Sequence, residues 1–401
     1  MSAVASQVPT REELVERAAA LTPILQRNAD EAERTRRIPQ EDIDALRDAG
    51  LFRVTVPRRF GGYEAMVGTK MAVSEALGRS GCGSTAWVTA LINICNWMGS
   101  LLPEQGQRDI WGENSDALIA GVLNPSSNVS LVGGGYRVSG RWPWASGSWH
   151  ADWVLVGIIV PDESGEPVDQ ALAFVPVSDI TIEETWFVAG MKGTGSNTIV
   201  AEDIVIPKHR TFSVPRAIQG HYATPFLADE PAYRQSFIPM LTLILGGPQI
   251  GLGQAALDFV LEKSARRGIT YTKFERQADS TGFQLEVAQA ALLLDSGRLH
   301  MRRAGEDIEA AAMAGGPLDY PTRARVRADT SFGIARIRES IDRLLSAHGA
   351  SSFADVSPLQ RIWRDSSTAG RHAVVDPAVN LEVFGKALVG VPYEQNITPL
   401  I

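Results

Sequence analysis

The chain has 401 residues, of which 44% are hydrophobic and 21% charged. That is too long for one compact core and fits two or three domains of an ordinary globular protein. Its formal net charge of −8 repels phosphate backbones and argues against nucleic acid as a partner.

The first block, residues 1–116, reads as helix. Residues 1–10 are polar and lack the basic start and apolar stretch of a secretory leader. Leu14, Ala18, Leu21 and Leu25 then recur at helical spacing. Pro39 suits an early helical position ahead of Ile43 and Leu46, and Gly50 stops that helix. Residues 70–77 and 85–98 predict two more helices. The second is rich in Ser, Thr and Asn yet apolar enough to be buried.

The period changes over residues 117–215. Residues 136–140 alternate after a Gly133-Gly-Gly turn, and residues 154–160 form one continuous apolar strand. Residues 171–177, 180–185 and 198–206 continue the pattern between Gly, Pro, Asp and Ser. Short strands at this spacing predict a small sandwich or barrel. Residues 216–401 return to helix. Four long segments, 250–262, 284–308, 322–347 and 359–372, predict an antiparallel bundle. Phe332, Ala335, Ile337, Ile341, Leu344 and Leu345 illustrate the spacing. No apolar run approaches the roughly 20 residues of a bilayer span, so no membrane role is expected. Two cysteines and six scattered histidines give neither a disulfide framework nor a metal set, and a reducing cytoplasm is the expected setting. No GxGxxG follows a strand, so no nicotinamide nucleotide site is expected.

Several segments resemble one family. Arg36-Arg-Ile-Pro and Leu46-Arg-Asp-Ala-Gly-Leu-Phe-Arg-Val-Thr-Val-Pro-Arg-Arg-Phe-Gly-Gly are similar to the N-terminal signature of acyl-CoA dehydrogenase-fold proteins. Gly135-Tyr-Arg-Val-Ser-Gly-Arg-Trp-Pro-Trp-Ala-Ser-Gly resembles the strand and loop that meet the flavin ring. Gly190-Met-Lys-Gly-Thr-Gly-Ser-Asn resembles the closing strands of the middle domain, and Pro358-Leu-Gln-Arg-Ile-Trp-Arg-Asp the last bundle helix. The resemblance implies an α+β architecture: an N-terminal helical domain (1–116), a middle β-barrel or sandwich (117–215) and a C-terminal four-helix bundle (216–401).

Thioester dehydrogenases of this fold carry a Tyr-Glu-Gly soon after the Arg-Asp pair, where Glu removes the α-proton. Here Arg364-Asp365 leads instead to His372-Ala-Val. A histidine there resembles the two-component flavin monooxygenases, such as the 4-hydroxyphenylacetate 3-hydroxylase oxygenase and related steroid-phenol and polyketide hydroxylases. That resemblance implies reduced FMN or FAD from a separate NAD(P)H:flavin reductase, oxygen transfer through a C4a-hydroperoxyflavin to an aromatic or polyketide-like molecule, and a homotetramer. N- or S-oxygenation of an amine, amino sugar or heterocycle is a variant of the same chemistry. An acyl-CoA dehydrogenase using Glu382 or Glu394 and a non-catalytic flavin-binding scaffold are the rivals.

The resemblance carries these roles to particular positions. His372 would serve the bound oxygen, or simply be a satisfied helix histidine. Ser146 would donate to flavin N5 or O4, and Trp144 would stack beside the ring. Thr194 and Ser196 would bind flavin or phosphate oxygens, although the same run also fits a β-turn. Arg266 or Arg267 would pair with the flavin phosphate, although basic residues also suit a helix C-terminus. Trp87 and Cys95 would line the substrate site. Phenol hydroxylases often have a histidine near the position of Cys95, so a phenolate partner is not expected. Cys95 fits a small buried hydrophobe equally well.

Overall fold

A computed structural model describes residues 8–401. The stretch 1–10, read above for a leader, lies mostly outside these residues. Six helices come first: α1 (Arg11–Ala20), α2 (Thr22–Thr35), α3 (Gln40–Asp48), α4 (Val67–Gly78), α5 (Gly83–Ser100) and α6 (Glu104–Trp111). The single helix expected across Leu14–Leu25 is split, because Pro23 has no N–H to donate and sits in the first turn of α2. Thr10 opens α1 with a reciprocal cap to Glu13. Helix α5 is buried almost throughout. Its polar residues find main-chain partners: Asn93 donates to Leu51 O and Thr89 O, and Asn96 to Phe52 O.

Eight strands follow: β1 (Ile119–Pro125), β2 (Ser127–Val132), β3 (Gly135–Ala145), β4 (Trp153–Pro161), β5 (Pro167–Pro176), β6 (Thr181–Glu183), β7 (Asn197–Pro207) and β8 (Thr211–Ser213). They form two four-stranded sheets, ordered β1-β4-β5-β8 and β2-β3-β7-β6. Only the β1–β4 pairing is parallel among the described residues. Val138, Trp142, Val154 and Ile199 pack between the sheets as a core of their own. The result is a sandwich. Strands β1, β2 and β8 were not expected. β1 and β2 have mixed composition, and β8 is too short to show a period.

Seven helices complete the chain: α7 (Val214–Ile218), α8 (Phe237–Leu243), α9 (Gly246–Ser264), α10 (Thr281–Met313), α11 (Tyr320–His348), α12 (Pro358–Ala369) and α13 (Pro377–Leu388). The segment Phe237–Ser264 is long and apolar enough for a membrane span, yet 89% of its most apolar window is buried inside the protein, as an interior helix should be. Two expectations need correction. α12 stops at Ala369, so His372 lies beyond it and caps a short 3-10 turn over Ala373–Val375. α12 is also not the last helix, because Pro377 starts α13, whose first amides are capped by Asp376.

Helix α12 grips the loop between β6 and β7. Arg364 reaches Glu33 at 2.7 Å and donates to Ala189 O, while the Asp365 carboxylate accepts the Met191 N–H at 2.6 Å. A Cβ on Gly190 would lie 2.2 Å from Arg364 O, so only glycine permits this approach. Asp365 is buried beside Gly83 at the start of α5, and burial pushes its carboxyl up to about 7.

Two outcomes are expected. Gly190→Ala should cost about 1–3 kcal/mol, because the obstacle is main chain that cannot rotate away; a denaturant midpoint equal to wild type would contradict this contact. The pH test concerns Asp365. Its folded pKa lies above the ordinary carboxyl value, so the unfolded chain releases this proton first as pH rises. Wild-type stability relative to Asp365→Asn should therefore decline as pH rises from about 4 to about 7. A difference in stability that stays flat over that window would count against it.

Candidate active site

Helix α5 is the wall against which the site is assembled. Ser84 packs under the Gly193 loop, where a Cβ would meet the serine Cβ at 3.1 Å. One turn on, Trp87 faces the His372 ring at a centroid distance of 6.0 Å, tilted by 57°. Its neighbour Val88 packs under Gly147, which has φ of +78° and no room for a side chain. Three segments distant in sequence thus meet on about one and a half turns of one helix: the end of β3, the β6–β7 loop and the turn after α12.

Three predicted hydroxyls come together. Ser146 Oγ lies 2.7 Å from Ser196 Oγ, and Ser196 Oγ lies 2.7 Å from Thr194 Oγ1. Thr194 Oγ1 donates to Met191 O at 2.8 Å. All three side chains are buried. The main chain couples the loops as well, with Gly147 N donating to Thr194 O at 2.9 Å. Trp144 has a left-handed backbone (φ of 72°), and its indole stands 66% exposed two residues before Ser146.

His372 Nδ1 accepts the Val374 N–H at 3.3 Å. The neutral ring therefore carries its proton on Nε2. The residue is exposed overall, while its ring meets the Trp87 indole and is partly desolvated by the protein. That desolvation lowers its pKa, so the neutral form dominates at neutral pH. Helix position alone does not account for this histidine, because α12 has already ended.

Two predicted residues are not brought to this place. Arg267 lies past the C-terminal end of α9, bonded to His348 Nε2 at 2.9 Å and to the Ser351 hydroxyl. Within the chain it serves that corner of the helical domain, and Arg266 beside it is exposed. Cys95 follows Trp87 by eight residues, about 12 Å along the helix. Its sulfur is packed against Gly121 of β1, and burial pushes the thiol up to about 12. It behaves as a small core hydrophobe. The rival bases also point elsewhere. Glu382 pairs with Lys386 on exposed α13, and Glu394 is on the surface.

Sequence reasoning missed Met191 and Ser148. Met191 anchors the hydroxyls through its main chain, which no side-chain pattern reveals; the closely spaced Gly190, Gly193 and Gly195 were the available signal. Ser148 is buried with a partnerless hydroxyl. Two open clefts, of about 230 and 620 Å3, flank the outer side of the same loop at Arg36–Trp149–Phe187 and at Arg34–Lys192–Arg364. Neither includes Ser146, Trp144 or His372.

An exposed aromatic plate, a buried hydroxyl beside it and a neutral imidazole facing a tryptophan suit a planar, hydrogen-bonding ring system. The donor set fits a flavin and contains no carboxylate base. The comparisons agree. Residues 11–111 match the acyl-CoA dehydrogenase N-terminal domain and residues 243–377 its C-terminal domain. The chain is 33% identical to the flavin-dependent monooxygenase oxygenase subunit HsaA of Rhodococcus jostii, covering 94% of this chain and 98% of that one. It is 32% identical to the FADH2-dependent resorcinol hydroxylase oxygenase component of Rhizobium, with 94% of each covered. Its fold superposes on Streptomyces XiaF, solved with FADH2 and glycerol, with a TM-score of 0.91 and 34% identity over 97% of both chains. The chain belongs to the oxygenase components of two-component flavin-dependent monooxygenases, built on the acyl-CoA dehydrogenase fold.

Proposed function

We propose that this oxygenase hydroxylates an aromatic or polyketide-like molecule, with Ser146 and His372 serving the reduced flavin and the oxygen it carries. The observation that carries this reading is the placement of Trp87 and Val88. Adjacent residues of α5 contact the His372 ring and the Gly147 turn, so one short stretch of helix supports both segments. The resorcinol hydroxylase among the relatives acts on a benzene ring, and the indole of Trp87 offers a similar substrate an apolar wall.

The flavin, once bound, supplies the oxygen activation. The protein's part is positioning and proton control. Trp144 would stack beside the ring and Ser146 would meet its polar edge, while Thr194 and Ser196 hold Ser146 in place. His372, with Nδ1 occupied by the Val374 N–H, would have its Nε2–H available as a donor to the flavin-borne oxygen. Buried α5 keeps water from that side, which limits wasteful loss of peroxide.

As an oxygenase component the protein works with a separate flavin reductase, and we assign that reductase an NAD(P)H donor. We also propose a homotetramer in the cytoplasm. Leu285, Leu292 and Leu299 repeat every seven residues on α10 and stand 58%, 69% and 62% exposed. Such a stripe suits a second copy of the chain. Both cysteines are free and buried, as a reducing compartment allows.

His372→Ala and Ser146→Ala should lower product formed per O2 consumed by roughly tenfold, with peroxide rising in proportion, the effect of about one lost hydrogen bond. Peroxide assays on both variants check this, and unchanged coupling in both would remove these roles. Leu292→Glu with Leu299→Glu should reduce the particle mass in light scattering. A mass equal to wild type would place the oligomer interface elsewhere.

A further inference from the structure

The hydroxyl chain has a direction, and its direction is forced. Four oxygens stand in line: Met191 O, Thr194 Oγ1, Ser196 Oγ and Ser146 Oγ. The three successive O···O distances are 2.8, 2.7 and 2.7 Å. Two oxygens this close repel unless a proton lies between them. Three hydroxyls supply three protons, one for each gap. The carbonyl at one end has none to give. Thr194 therefore donates to Met191 O, Ser196 must donate to Thr194, and Ser146 must donate to Ser196. No other distribution fills all three gaps.

The carbonyl end is held rigidly. Met191 O also accepts Trp186 Nε1 at 2.9 Å and Thr194 N at 3.2 Å. The Met191 N–H is held by Asp365 at 2.6 Å. The terminus of the chain cannot swing away to leave Thr194 free to reverse.

We infer that Ser146 has no proton for the flavin and acts there only as an acceptor, so that Thr194 and Ser196 are positioning residues which make the site select reduced over oxidised flavin. The inference rests on the flavin reading above. It corrects the expectation that Ser146 donates. Reduced flavin carries hydrogen on N5, and an acceptor-only hydroxyl complements it. Oxidised flavin presents a bare N5 lone pair, which repels the lone pairs of Ser146. One side of the hydrogen-bond chemistry is thereby set by a carbonyl three residues before Thr194, which never touches the cofactor. For an oxygenase that takes reduced flavin from a reductase and must release the oxidised form, this polarity favours loading before turnover and release after it.

The test is the ratio of dissociation constants for oxidised and reduced FMN and FAD, measured anaerobically by tryptophan fluorescence on the full-length protein. Thr194→Val and Ser196→Ala each break the chain and free the Ser146 proton to point at N5. The ratio should fall roughly tenfold in both. Thr194→Ser keeps the hydroxyl and should keep the wild-type ratio. In a Ser146→Ala background, adding Ser196→Ala should change the ratio no further. A ratio within twofold of wild type in both Thr194→Val and Ser196→Ala overturns the inference while leaving the flavin site intact. So does a Thr194→Ser protein as altered as Thr194→Val, since that outcome marks a packing role. Wild-type protein that binds neither form of flavin would instead overturn the flavin reading itself, and this inference with it.

Discussion

The main chain of Met191 is the point on which the site depends. Its N–H is bound by a buried carboxylate from α12, and its carbonyl takes Thr194 and Trp186. These contacts join the C-terminal helices to the β-sandwich at one residue. A buried carboxylate is expensive to keep, and the raised pKa of Asp365 reflects that cost. Good geometry to a main-chain donor offsets part of it. The return is a loop whose hydroxyls are fixed in direction as well as in place.

That anchor explains the glycines around it. Gly190 lets α12 approach, Gly193 lets α5 approach, and Gly195 has φ of +52° with the Trp149 ring and Arg36 O close by. Each removes a side chain where another segment must come near. The loop is thus enclosed by α2, α5 and α12 and cannot drift. Precise hydrogen bonds need such support, because hydroxyl rotors are held only by their neighbours.

The same helix wall separates two kinds of work. Toward the β-domain, α5 supports the Ser146–Gly147 turn with small apolar contacts. Toward the C-terminal helices it presents Trp87 to His372. Of the carboxylates that follow α12, Asp376 is engaged in capping α13, and Glu382 and Glu394 are turned outward. A neutral imidazole with a free Nε2–H remains. The chain shares its fold with the acyl-CoA dehydrogenases and carries His372 in the turn after α12.

Much of this was legible in the residues themselves. Helical spacing, then alternation, then helical spacing again located the three blocks, because amphipathic periodicity is a local property. His372 and Ser146 stood out by their place in motifs. Other features belong to the tertiary structure alone. Ser146 and Ser196 are 50 positions apart, and Met191 and Asp365 are 174 apart. Which of them touch, and therefore which way each proton points, follows from packing between segments that no local pattern encodes. Packing also took Cys95 into the core and tied Arg267 to His348, since a side chain's role depends on which face of its helix meets a neighbour. The sequence alone determined the kinds of groups available; the fold decided their direction, because a hydrogen bond is a relation between two atoms and not a property of either.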